Sequence, residues 1–195
     1  MLDERQIKLE CEAAADGVDL LLTATNHTDT AWPELSAILP CLTPGSPDPA
    51  HPDPPINVLF RDEEQVRTYF MGAEGLEVFG NSDLHFNHRL RSRVDAVLQA
   101  GGVEPGKLPT WRFPRSEGSK WPISPRDAHA GLMLRESDDG LWVAGIAWED
   151  FLSASGHYPL RCMHLSPRLG PLAPGETKTV RGKIYLFKGN REDCL

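Results

Sequence analysis

The sequence predicts a mainly β protein: an antiparallel two-sheet β-sandwich with at most one or two short helices and two long Pro-rich loops. Three observations carry that expectation. Seventeen Pro and 17 Gly among 195 residues disfavour a helical bundle, because helix interiors tolerate neither residue. Short runs with period-two alternation recur along the chain, divided by turn residues at roughly ten-residue spacing. The strand–helix alternation that builds a parallel α/β sheet is missing. Five Trp, seven Phe and three Tyr supply large side chains for a core. No shift in composition divides the strand-like runs, so residues 1–195 read as a single β-sandwich domain.

The first run, Gln6–Cys11, alternates polar and apolar residues. Asp16-Gly17 turns the chain and Val18–Ala24 returns it, which is a hairpin signal. Asn26–Asp29 is the next turn, and the mostly apolar Leu35–Leu42 reads as a buried strand. Residues 43–55 hold six prolines in thirteen positions. That density permits neither ladder nor helix and leaves an extended surface loop. Asn57–Phe60 reads as a short strand.

Arg67–Met71 and Leu76–Phe79 flank Gly72–Gly75 as a second hairpin. The alternative is a helical turn capped within Asp62–Gln65 and carrying Val66, Tyr69 and Phe70. Over residues 82–100, Ser82-Asp83 can cap a helix with Leu90, Val94, Val97 and Leu98 on one face, closed by Gly101-Gly102. Two strands are the alternative, and a helix over 90–100 is preferred. Residues 103–127 form the second long loop, with Pro105, Pro109, Pro114, Pro122 and Pro125. Its Trp111, Phe113 and Trp121 suit a loop packed on a sheet or the lining of a ligand groove.

The last third holds the clearest strands. Ala130–Arg135, Leu141–Trp148 and Leu160–Leu165 are strands, and Leu141–Trp148 is apolar enough to be buried on both faces. The turn Leu172–Glu176 leads into Thr177–Phe187. There Thr177, Thr179, Arg181 and Lys183 alternate with Lys178, Val180, Gly182 and Ile184.

With 20 Lys+Arg against 28 Asp+Glu the formal net charge is −8. Such an acidic surface repels phosphates and argues against a nucleic-acid partner. The first ten residues carry early acidic groups and no apolar core, unlike a signal peptide. No apolar run reaches the ~18 residues of a membrane span. The expectation is therefore a cytoplasmic protein with no membrane partner. Cys11, Cys41, Cys162 and Cys194 show no paired spacing. Cys11 and Cys162 fall in strand-like runs and are expected to be buried thiols.

Two segments carry a family resemblance. Leu172-Ala-Pro-Gly-Glu-Thr177, continued by Tyr185-Leu-Phe187, is similar to the closing turn and strand of aldose-epimerase-like proteins. Asn26-His-Thr-Asp-Thr-Ala-Trp-Pro33 resembles a turn between early strands of the same galactose-mutarotase-like superfamily. Together they cover about 24 residues. The resemblance implies a supersandwich-like fold and a carbohydrate ligand. The family works on the sugar ring with histidine acids and a glutamate base. His27 superficially matches one histidine motif, but its downstream residues are missing. No motif places the second histidine or the glutamate, so no catalytic residue is assigned.

Several clusters carry chemistry on their own residues. His85 and His88 share a face only if they lie on a helix; on a strand they point apart. Neither Asp83 nor Asp95 completes a ligand string, so no metal is assigned. Cys162 and His164, two apart, share a face on a strand. With His85 or His129 they would form a mixed Cys/His site or a thiol–imidazole pair. Trp148 beside Glu149 and Asp150 ends the most apolar strand. An aromatic face next to carboxylates is the composition of a sugar site. Trp111 and Trp121 are further candidates for ligand contact. Ser155-Gly-His157 lacks the context of a nucleophile elbow. No phosphate-cradling glycine motif is present and no cofactor is expected.

The functional expectation is a carbohydrate-binding or carbohydrate-processing β-sandwich. The alternatives are a non-enzymatic interaction or structural domain, including a homodimer, and a metal-binding enzyme using a His/Cys cluster.

Overall fold

The computed structural model describes residues 7–34, 36, 40–45, 59–62, 64–79, 84–93, 124–157 and 162–194. They form two antiparallel sheets. The strands are β1 (Ile7–Ala14), β2 (Gly17–Thr25), β3 (Cys41–Leu42), β4 (Thr68–Gly72), β5 (Gly75–Val78) and β6 (Leu84–Phe86). They continue with β7 (Leu132–Glu136), β8 (Trp142–Trp148), β9 (Phe151–His157), β10 (Cys162–Pro167) and β11 (Thr177–Lys188). A seven-stranded sheet runs β1-β2-β11-β8-β7-β4-β5, and a four-stranded sheet runs β3-β10-β9-β6. The mainly β sandwich expected from alternation and turn spacing is the observed fold.

The core lies between the sheets. Leu20, Leu22, Phe70, Met133, Ile146, Trp148 and Val180 come from the larger sheet; Ala154, Met163 and Leu165 come from the smaller. β8 is buried on both faces, as its apolar run predicts. Ile146 and Trp148 face the main core, while Val143 and Ala147 face a second cluster with Leu132, Leu134, Tyr185 and Phe187. On β11 the alternation sorts as expected. Val180 is fully buried and Ile184 packs on the core. Gly182 meets the Trp148 ring so closely that a Cβ there would lie 2.3 Å from Cε3.

The two segments behind the family resemblance sit against each other. Asn26 is fully buried, and its Nδ2 donates to Thr30 O at 2.9 Å and Leu172 O at 3.1 Å. Its Oδ1 accepts from Thr28 N and Thr28 Oγ1, and its carbonyl accepts from Gly175 N. Both motifs thus serve the fold, because they satisfy each other's backbone groups where β2 ends and β11 begins. His27 beside them is exposed.

Several expected elements differ. Of Leu35–Leu42, residues 35 and 37–39 lie outside the described residues; Cys41–Leu42 is a strand and Ser36 makes an isolated bridge with Arg168. Of the expected strand Asn57–Phe60, residues 57–58 lie outside the described residues, and Leu59 and Phe60 lie in a turn, with Phe60 buried at 1% exposure. The choice between hairpin and helical turn at 62–79 resolves to the hairpin β4–β5. Asp62 still acts as an acceptor for the backbone N–H groups of Val66 and Arg67.

In the 82–100 region, β6 is followed by a 3-10 turn at His88–Leu90 and helical residues 91–93. Residues 94–100 lie outside the described residues. β9 has no counterpart among the expected strands, because its small residues Ser153, Ser155 and Gly156 carry no strand-like apolar alternation. They are buried all the same. Cys11 is exposed rather than buried, because the four-stranded sheet does not extend across β1.

Candidate metal centre

The site grows from the period-two geometry of β10. Met163 and Leu165 face the core, so Cys162, His164 and Ser166 face the other side of the smaller sheet. On that side His164 stands opposite Cys41 of β3 and opposite Ser155 of β9. Cys162 lies two residues before His164 on the same strand. The donor atoms of Cys41, Cys162 and His164 all lie within 4.8 Å of one another. Cys41 Sγ is 3.0 Å from His164 Nε2. Cys162 is 3% exposed and His164 5%, while Cys41 is exposed. The cluster is rooted in the sheet and opens to solvent at one thiol.

The donor set suits a soft transition metal. Thiolates and imidazole are the usual ligands of zinc. With Zn–S near 2.3 Å and Zn–N near 2.0–2.1 Å, the ligand atoms of a tetrahedral site lie about 3.5–3.8 Å apart. The observed separations, from 3.0 Å to within 4.8 Å, bracket that span. Two Cys and one His leave a fourth position open. Nε2 is the nitrogen aimed at the cluster, and an ion bound there would require the His164 proton on Nδ1. Among the described residues this is the one group of three such side chains close enough to share an ion.

The remaining sequence candidates separate in space. His85 sits on β6 opposite Ala154, on the core face, and so on the opposite side of the sheet from His164. It packs 4.1 Å from Phe70 and 5.2 Å from Phe79 by ring centroids. His88 stacks on His129 at 4.2 Å with the rings 3° from parallel. Neither His85 nor His129 joins Cys162 and His164. Trp148 is 2% exposed, with its ring in the core rather than at the surface where a sugar face would stack. Glu149 and Asp150 form the bend between β8 and β9 rather than a strand end, and their carboxylates go to different partners. Glu149 Oε1 accepts from Arg181 N at 2.9 Å. Asp150 accepts from Lys178 Nζ at 2.6 Å, with Arg168 Nη1 at 3.8 Å. Trp111 and Trp121 lie outside the described residues.

Cys41 is the member that the sequence did not single out. Its signal was indirect: Leu35–Leu42 and Leu160–Leu165 both read as strands, but nothing local states that they pair across 123 residues. The fourth thiol, Cys194, stands apart in the second cluster, and burial pushes it up to about 11, which holds it as a neutral thiol.

His85 has a measurable consequence. Its Nδ1–H donates to Arg126 O at 3.0 Å, and its buried Nε2 has no hydrogen-bond partner. Burial drives its pKa down to about 4 from 6.5. The Arg126 carbonyl opposes that shift and the Arg126 guanidinium adds to it. The folded protein therefore binds the proton less readily than the unfolded chain. Stability is full above pH 6.5 and falls as the pH drops towards 4, by about 3 kcal/mol. Urea denaturation across that window is expected to show the loss, and His85→Phe to remove most of it. An unchanged pH slope in the variant would assign the loss elsewhere.

No family model, curated protein or solved structure matches this chain. Among the described residues, no helix is long and apolar enough to cross a membrane.

Proposed function

We propose that this chain is a zinc-binding β-sandwich protein whose metal is held by Cys41, Cys162 and His164. The observation that carries the reading is the convergence of two thiols and an imidazole nitrogen within 4.8 Å on one face of the smaller sheet. A thiol–imidazole nucleophile needs one cysteine; a second cysteine in the same cluster is what a metal uses. Three protein ligands plus an open position is the arrangement of zinc sites that take water or substrate in the fourth place. A zinc-bound water there would supply hydroxide near neutral pH. Cys41 is exposed on the edge strand β3, so solvent would reach a metal held there.

The test is metal titration with a spectroscopic readout. Cobalt(II) added to the reduced apoprotein is expected to bind one ion per chain, with thiolate-to-cobalt charge transfer and tetrahedral d–d bands, and zinc to displace it. Elemental analysis is expected to return one zinc per chain. Absence of cobalt bands and of stoichiometric zinc would overturn the reading.

A carbohydrate ligand, implied by the mutarotase resemblance, has less support. The ring best placed by sequence to stack on a sugar, Trp148, is packed in the core. A sugar panel that raises the melting temperature would revive it.

A further inference from the structure

The unused feature of the fold is the outer edge of β1. Exposed strand edges are normally blunted by shortness, proline or bulges. The other sheet-edge strands here are short: β5 has four residues, β6 three and β3 two. β1 has eight residues and no proline. Its register with β2 runs unbroken from Ile7↔Ala24 to Ala14↔Gly17. Its far edge pairs with no described strand.

The face of β1 is unfinished as well. Ile7, Leu9 and Cys11 stand beside Ala24, Leu22 and Leu20, which are core residues. Yet Ile7 is 43% exposed, Leu9 44%, and Cys11 exposed. Strand spacing explains the overhang: seven strands span roughly 29 Å and four strands roughly 14 Å, at about 4.8 Å per step. The smaller sheet cannot cover the whole of the larger one.

We propose that β1 pairs antiparallel with β1 of a second copy, joining the two seven-stranded sheets edge to edge. The charges of β1 select this occupant and its register. Lys8 and Glu10 lie on one face, with Nζ and Oε1 2.8 Å apart and both side chains more than half exposed. With Leu9 on the two-fold axis, each Lys8 stands opposite Glu10 of the second copy, and Ile7 stands opposite Cys11. A shift towards the N-terminus sets Lys8 on Lys8; a shift towards the C-terminus sets Glu10 on Glu10. A slip to the intermediate registers sets the apolar face of one strand beside the charged face of the other. Centring on Glu10 also sets Lys8 opposite Glu12, but it places Glu10 against Glu10; the Leu9-centred register alone pairs opposite charges twice with no like charges opposed and keeps the apolar face continuous. Cross-strand pairs of this kind are the unit of sheet stabilisation.

The test uses the full chain under reducing conditions, by sedimentation over a concentration series. The wild type is expected to be a monomer–dimer equilibrium. Lys8→Glu creates two like-charge contacts and is expected to weaken the dimer by about tenfold; Lys8→Glu with Glu10→Lys is expected to restore it. Circular dichroism checks that these exposed substitutions leave the fold intact. Leu9→Cys, placed on the axis, is expected to cross-link on mild oxidation, since opposed Cα atoms at about 4.5–5.5 Å suit a disulfide. A strict monomer overturns the proposal, even if it binds an extended peptide along β1. So does a dimer indifferent to the charge swap, or a Leu9→Cys variant that fails to cross-link.

Discussion

Cys162→Ser is expected to lower zinc affinity by about 100-fold or more while the protein stays folded. Removing a group that merely orients a ligand costs about 10–100-fold, and Cys162 supplies a ligand atom itself. Serine is close in size, so the buried position in β10, 3% exposed, loses little packing. The same substitution separates two chemistries. A Cys41–His164 nucleophile would keep its 3.0 Å contact and react with alkylating agents as before. A metal site would lose its cobalt charge-transfer bands. Unchanged zinc affinity in Cys162→Ser would remove Cys162 from the site.

Arg135→Met is expected to destabilise the fold by about 3–5 kcal/mol, the cost of breaking a buried charged network on one side. Arg135 is fully buried on β7. Its Nε donates to Thr68 Oγ1 at 2.8 Å, and its Nη1 donates to Pro44 O at 2.7 Å. The Thr68 hydroxyl in turn donates to Asp62 Oδ2 at 2.9 Å. Asp62 is 1% exposed and also accepts from Val66 N and Arg67 N. A methionine fills part of the volume but leaves the Pro44 carbonyl and the Thr68 Oγ1 without the Arg135 donors. Urea denaturation measures the difference; a loss under about 1 kcal/mol would show that the network is dispensable. Pro44 follows β3 closely, so Arg135 also holds the segment that presents Cys41.

The fold was legible where alternation and burial agree. β8 and β11 announce themselves because one is apolar on both faces and the other sorts cleanly by parity. β9 escaped because its core-facing positions are Ala154 and Gly156 and its other face carries Ser153 and Ser155. Small residues there let the neighbouring layer approach, as the 2.7 Å gap between a Gly156 Cβ and the Phe79 ring shows. Nothing in their hydrophobicity marks a strand.

The site was half legible for the same reason. Period two places Cys162 and His164 on one face of any strand. Cys41 reaches them through a pairing between β3 and β10, a long-range contact that no local pattern encodes. His85 and His88 lacked a decisive pattern, because three-residue spacing has opposite meanings on helix and strand. The strand β6 sends His85 into the core, where it is neutral packing beside Phe70 rather than a ligand.

The most direct measurement is X-ray absorption at the zinc edge of the zinc-loaded full chain. Two sulfur neighbours near 2.3 Å, one imidazole nitrogen near 2.0–2.1 Å and one further light atom are expected. A first shell of oxygen and nitrogen alone would contradict the assignment of Cys41, Cys162 and His164.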